Sequence, residues 1–206
     1  MRFTRYKGAV KRVVPFALLV LVITACGSTH RRHAVAGAAR PSCPAAWQAG
    51  WQALADRIHT PVYCPSWMPD PLDARIGGGY ANGDSVSRDR SYLISFLWRE
   101  PGSGEVHVNL RGYPGRTRVP RCSDLATNKL VPCFSDRRGT RHIGGIRATM
   151  YSANQGADQW HVLYAWRFHG SLYVISEHVV PPYTYRRVVQ NLNRMLRGLV
   201  LIEPRT

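Results

Sequence analysis

Residues Glu105–Gly112 alternate without a break: Val106, Val108 and Leu110 fall on one side, His107, Asn109 and Arg111 on the other. A period of two is the signature of a strand with one buried and one polar face. The chain must therefore build a sheet that is antiparallel and covered more fully on one side than the other. Ser91–Arg99, rich in aromatic and aliphatic residues, is expected to pair with it as a hairpin across Glu100-Pro101-Gly102-Ser103-Gly104. Trp160–Phe168 and Ser171–Val180 form a second expected hairpin, turning at His169-Gly170. Between the hairpins, Arg141–Tyr151 reads as one strand bulged or bent at Gly144-Gly145. Residues 113–139 read as a long Pro/Arg-rich loop, and a further strand is expected around Asp73–Gly79.

Two segments change period. Trp47, Trp51, Leu54 and Ile58 recur at helical spacing within residues 44–58, with Ser42 or Cys43 in the cap region and Pro44 in the first turn. Tyr185, Val188, Val189, Leu192, Met195, Leu196 and Leu199 make a second stripe, over a helix expected at Thr184–Arg197. Its outward set is Arg186, Arg187, Gln190, Asn191, Asn193, Arg194 and Arg197. Thr184 suits the N-cap and Gly198 the C-cap. Thr60–Pro71 carries four prolines, which exclude helix and central strand and leave an extended surface segment. Strands flanked by helices imply an α+β fold: an antiparallel sheet of about five strands, with an N-terminal and a C-terminal helix packed on one face.

The first 25 residues do not belong to that fold. Arg2, Arg5, Lys7, Lys11 and Arg12 precede an apolar stretch from Val13 to Ala25, which is short of the roughly 20 residues a membrane span needs. A basic start and a short apolar core are the pattern of an export leader. Ile23-Thr24-Ala25-Cys26 places an aliphatic residue and two small ones before a cysteine, and so resembles the lipobox of bacterial lipoproteins of the actinobacterial type. That resemblance implies cleavage before Cys26, a diacylglyceryl group on its thiol, and a chain anchored by lipid to the extracytoplasmic side of the cell membrane. The expected organisation is a signal peptide over 1–25, lipidated Cys26 with a flexible Gly/Ser/Ala/Arg tether over 26–41, and a single domain over 42–206.

Export makes the other cysteines candidates for disulfides. Cys43, Cys64, Cys122 and Cys133 allow three pairings, and proximity in sequence favours Cys43–Cys64 with Cys122–Cys133. A zinc site is disfavoured, because no C-x-x-C pair is present and the spacings are wide.

Charge narrows the partners. Five of the 28 Lys and Arg residues fall in the leader, which leaves 23 against 12 acids, a net charge of +11 carried almost wholly by arginine. GC-rich codon usage accounts for part of this. The excess also suits anionic lipid headgroups or acidic envelope polymers. The arginines are scattered, no nucleic-acid motif is present and the leader exports the chain, so nucleic acid is excluded as the expected partner.

Tyr63-Cys64-Pro65-Ser66-Trp67-Met68-Pro69, the hairpin Ser91–Arg111, Ile143-Gly144-Gly145, and Leu163–Ser176 with Trp166 and Tyr173 come in that order, and Thr184–Leu199 closes the series. In this order they resemble the DUF4367-type domains of bacterial envelope proteins. The similarity covers about Val62–Val200, with cysteine where those domains carry an aliphatic residue. It implies half of a lipoprotein-carrier fold and brings no catalytic residues. A second resemblance is to the PsbP-like lipoprotein fold, also a sheet with helices.

No nucleophile elbow, no H-E-x-x-H spacing and no carboxylate dyad is visible, so no catalytic residue, cofactor or metal ligand is assigned. His107, His161 and His178 are expected in strands as solvent-facing or satisfied side chains. The candidate binding face is His107, Asn109 and Arg111 on one strand, with His161, Leu163, Ala165 and Arg167 on another. If the two coincide, they form an open, cationic, partly aromatic wall. The expected function is a non-catalytic binding or accessory module of the envelope, meeting an envelope component or a partner protein. The alternatives are a lipid carrier with an apolar cavity, and a hydrolase whose site assembles only on folding.

Overall fold

The computed structural model describes residues 40–70, 72, 86–100, 104–124, 127–153 and 160–205. The leader, Cys26, most of the tether and the strand expected around 73–79 lie outside the described residues. Described elements run α1 (Ala45–Ile58), β1 (Val62–Pro65), β2 (Tyr92–Glu100), β3 (Gly104–Tyr113), β4 (Arg121–Ser123), β5 (Leu130–Pro132), β6 (Arg137–Ile143), β7 (Ile146–Ala153), β8 (His161–Phe168), β9 (Ser171–His178), α2 (Tyr185–Arg197) and β10 (Leu199–Ile202). The fold is α+β.

The main sheet has six strands in the order β2-β3-β9-β8-β7-β6, every neighbour antiparallel. The extra strand arises at Gly144-Gly145. Both residues have positive φ, 58° and 78°, so the pair makes a tight reversal in place of the bulge expected from the sequence. Two consecutive residues with φ > 0 match the twist of a two-residue hairpin, and glycine adopts them without a Cβ penalty. Ile143 therefore pairs with Ile146, and the register irregularity falls instead between Arg137 and Gly139. At the β2–β3 hairpin Gly112 faces Tyr92, where a Cβ would run into the tyrosine ring.

Two smaller sheets refine the loop expectations. β1 pairs with β10, from Val62 opposite Ile202 to Pro65 opposite Leu199. Within the proline-rich segment Val62–Pro65 is thus a short strand, with Pro65 at its end, and it is buried rather than laid over the surface as expected. Residues 113–136 carry the β4–β5 hairpin, and the Cys122–Cys133 disulfide ties one of its strands to the residue following the other. The second disulfide, Cys43–Cys64, joins the chain just before α1 to β1.

One face of the main sheet supplies Ile94, Phe96, Val108, Leu110, Met150, Tyr164, Trp166 and Ile175 to a buried cluster, which also draws in Trp47, Trp51 and Ile58 of α1 and Val188, Leu192, Met195 and Leu196 of α2. Tyr63 of β1 meets Trp166 and Tyr173 edge-on, with centroids 5.2 and 5.0 Å away. Such pairs add about 0.5–1.5 kcal/mol each to area burial. In α1, Pro44 itself occupies the N-cap position and His59 ends the helix at φ 51°. In α2, the Thr184 hydroxyl accepts from the Arg187 N–H, as an N-cap side chain should. Two α2 residues depart from the expected stripe: Tyr185 is 47 % exposed, and Asn191 is 3 % exposed rather than outward. No helix among the described residues is long and apolar enough to cross a membrane.

Candidate functional site

The opposite face of the sheet collects the residues singled out from alternation. His107, Asn109 and Arg111 on β3 share it with Leu163, Ala165 and Arg167 on β8. The link is β9, which pairs Asn109 with Ser176 and Ser176 with Leu163. The two sets do coincide on one face, but the face is not an open wall. Cys133 and Phe134 come down on Leu163, Ala165, Leu172 and Val174, making a second buried cluster. Asn109 is buried beside it, accepting at 2.6 Å from the Ser95 hydroxyl. The disulfide-closed segment therefore divides the face into two ends of different chemistry.

One end is cationic. A cleft of about 360 Å3 is lined by Arg137 of β6, Arg147 of β7 and Arg167 of β8, with Thr140, Thr149 and Thr117 adding hydroxyls. Two-residue alternation sets Arg147, Thr149 and Tyr151 on this face, because Ala148 and Met150 belong to the first core. Arg167 Nε donates to the Thr117 carbonyl at 2.7 Å, which ties the sheet to the loop over the cleft. Arg137 donates to Thr140 Oγ1 at 3.3 Å. No carboxylate lines the cleft among the described residues. A second hollow of about 550 Å3 lies along Gly115–Arg121 and shares Thr117 and Val119 with the first. It adds Arg116, Arg118 and Arg121; Arg116 pairs with Asp89 at 2.8 Å, and Arg121 donates to the Leu130 carbonyl.

The other end is imidazole. His107, His178 and His161 lie on the adjacent strands β3, β9 and β8; His161 is paired with His178, and His107 falls one position beyond the Val108–Glu177 pair. Their ring centroids are 4.6, 4.8 and 4.9 Å apart, and the Nε2 atoms of His161 and His107 are separated by 2.6 Å. Of the sequence candidates, His107 and His161 thus belong to this end and Arg167 to the cationic end. Arg111 lies between them, opposite Val174.

On the core side, β9 carries the one fully buried carboxylate among the described residues. Glu177 is 0 % exposed and accepts from Asn191 Nδ2 at 2.7 Å. Burial pushes its carboxyl up to about 8, against the bond from Asn191 and the charge of Arg187, which pull down. At the other edge of the first core, the Arg205 side chain and backbone bonds hold Asp56 down at about 2, with Gln52 assisting.

Sequence reasoning missed Arg137, Arg147, the convergence of His178 with its neighbours, and Glu177. Arg147 could have been found, since it follows the Gly144-Gly145 turn in a period-two run. The others depend on which strands become neighbours. No protein-family model, curated protein or solved structure matches the chain.

Proposed function

We propose that this chain is a lipid-anchored, extracytoplasmic binding module without catalytic chemistry, and that its arginine cleft holds an anionic component of the cell envelope. One observation carries the reading: Arg137, Arg147 and Arg167 line one cleft that, among the described residues, contains no carboxylate. Guanidinium groups bind phosphate and carboxylate through paired, charge-assisted hydrogen bonds, and three on one wall favour a ligand with more than one negative group. A bacterial envelope offers that chemistry as phospholipid headgroups and as acidic polymers. The lipobox-like Ile23-Thr24-Ala25-Cys26 supports the location, because a diacylglyceryl anchor and the tether over 26–41 would hold the cleft within reach of the membrane. Helices on one face of the sheet would leave the opposite face to the ligand.

Two arms of one experiment separate the ligand sources: calorimetry with soluble polyphosphate, and co-sedimentation with phosphatidylglycerol against phosphatidylcholine vesicles. Binding in either arm should weaken with salt. Replacing Arg147 by Ala should lower affinity by roughly tenfold, the scale of one charge-assisted hydrogen bond. Wild-type chain that binds neither probe, or an Arg137→Ala/Arg147→Ala/Arg167→Ala variant that binds as well as wild type, would overturn the reading. Cys26→Ala should release the chain from membranes in cells or leave its leader uncut; a variant processed and retained as before would remove the lipid anchor from the reading.

A further inference from the structure

Given the cleft as an anion site, the reading proposed above, we infer that its ligand is a linear chain of repeated phosphate groups. The cleft and the hollow beside it form one track for that chain. The first support is a cross-strand pair of like charges. Thr149 of β7 pairs with Ala165 of β8, so Arg147 and Arg167, one alternate position further along, stand across from each other on the cleft face. Side chains so placed start about 4.5–5.5 Å apart, and two cations there repel unless an anion lies between them. The rest of their row offers none: His142 faces Arg147 from β6, and Leu172 faces Arg167 from β9. Hydroxyls stand in the next row, where Thr140 pairs with Thr149. A tetrahedral phosphate presents oxygens in several directions and meets guanidiniums from two strands and a hydroxyl together, whereas a planar carboxylate faces one fork.

The second support is that the positive lining does not stop at the cleft. Thr117 and Val119 border both hollows, so the segment Gly115–Arg121 is a rim with a cationic hollow on either side. Its three arginines differ in how far they are committed. Arg121 donates to the Leu130 carbonyl, and Arg116 holds Asp89 in an exposed ion pair, which salt screens and a stronger anion displaces. Arg118 is exposed and has no hydrogen-bond or ion-pair partner among the described residues. No carboxylate lines either hollow among the described residues. A single headgroup fills one hollow and leaves the charge across the rim unanswered. A chain with a negative group at each repeat crosses the rim and answers both. The floor of the cleft also argues against a lipid tail. Ala165 and Leu172 are already packed with Cys133 and Phe134, so they offer no slot for an acyl chain.

Chain length is the variable that tests the track. The full chain in detergent is titrated calorimetrically with tripolyphosphate and with linear polyphosphate several times longer. Affinity is expressed per mole of phosphate, which cancels the gain from overlapping positions on the longer chain. The longer chain should bind at least about tenfold more tightly, the scale of one further charge-assisted hydrogen bond. Its affinity should also fall more steeply with salt, by about one unit of log–log slope for each further phosphate neutralised. Arg118→Ala should remove about tenfold from the long-chain affinity and leave tripolyphosphate unchanged, whereas Arg147→Gln should weaken both. Arg118 is exposed, so its replacement leaves the fold intact. Equal affinity for the two lengths, or an Arg118→Ala variant that binds the long chain as wild type does, would overturn the track and leave the cleft reading standing. Phosphatidylglycerol vesicles that bind more tightly per phosphate than the long chain would make a membrane surface the occupant, and overturn the track equally. A chain that binds neither length nor the vesicles would remove the track and the cleft reading together.

Discussion

The two faces of the six-stranded sheet come from the same strands and the same alternation, yet they are finished differently. One face is closed along its length by aromatic and aliphatic side chains packed with α1, α2 and β1. The other is closed only in the middle, where Cys133 and Phe134 reach Leu163, Ala165, Leu172 and Val174. Polar side chains survive on the second face where that cover stops: imidazoles at one end and guanidiniums at the other. The difference teaches where to look for function. A face closed by aromatic and aliphatic side chains puts its residues into stability, whereas one covered by a short, disulfide-closed segment leaves polar side chains at its two ends.

The largest expected effect breaks the first face. Trp51 is fully buried within the main cluster, and Trp51→Ala should destabilise the domain by about 3–5 kcal/mol, enough to unfold a domain of ordinary stability. Urea unfolding followed by near-ultraviolet circular dichroism measures it. A loss below about 1 kcal/mol would mean that the helix face is not the main store of stability, and the contrast between the faces would fail.

A smaller effect comes from Glu177, the one carboxyl among the described residues that is sunk into that first face. The folded chain keeps the Glu177 proton up to about pH 8, while an unfolded glutamate releases it near 4.5. Between those values the folded state holds the extra proton, so stability falls as pH rises through the window; below 4.5 the contribution is complete. Glu177→Gln should flatten that decline, a difference on the order of a few kcal/mol by pH 9. Unfolding free energies at pH 5, 7 and 9 for both proteins decide it, and parallel pH profiles would show that Glu177 is ionised in the folded state.

Glu177 also shows what a sequence can and cannot reveal. Alternation puts His107, Asn109 and Arg111 on one face of β3, and His161 and Arg167 on one face of β8, because side-chain direction is a local property of a strand; that the two faces coincide follows only from the pairing of both strands with β9. Strand neighbours are not local. His178 meets His107 only because β9 returns to pair with β3 after five intervening strands, and two-residue periodicity carries no record of that choice. A polar residue beside an apolar stripe ordinarily faces water, so Asn191 reads as outward in sequence; its inward turn answers a buried carboxyl on another element. Gly144-Gly145 reads in sequence as a bulge or bend within one strand; the tight turn that it makes instead differs by a backbone conformation that glycine permits in either case. Pro65 obscured β1, whose partner β10 lies at the far end of the chain, beyond the helix whose stripe had absorbed Leu199.

The smallest effect sharpens the comparison from the side of the second face. Cys122 and Cys133 close a short loop with a separation of 11 residues. In the chain-entropy model, its loss removes about 2–3 kcal/mol, less than the helix face should lose with Trp51. The location of the loss matters more than its size. Cys122→Ala/Cys133→Ala should loosen the cover over Leu163, Ala165, Leu172 and Val174 while Trp51, Leu192 and Ile175 stay packed, because the two clusters share strands but not contacts across the sheet. Amide hydrogen exchange should therefore accelerate in β4, β5 and the loop at Gly115–Arg121, with the protection of α1 and α2 unchanged. The same variant should weaken anion binding, because Arg167 holds the Thr117 carbonyl and Thr117 borders both cationic hollows. Exchange that rises equally in both helices would show one cooperative unit, and the second face would then be an extension of the first rather than a separately closed surface.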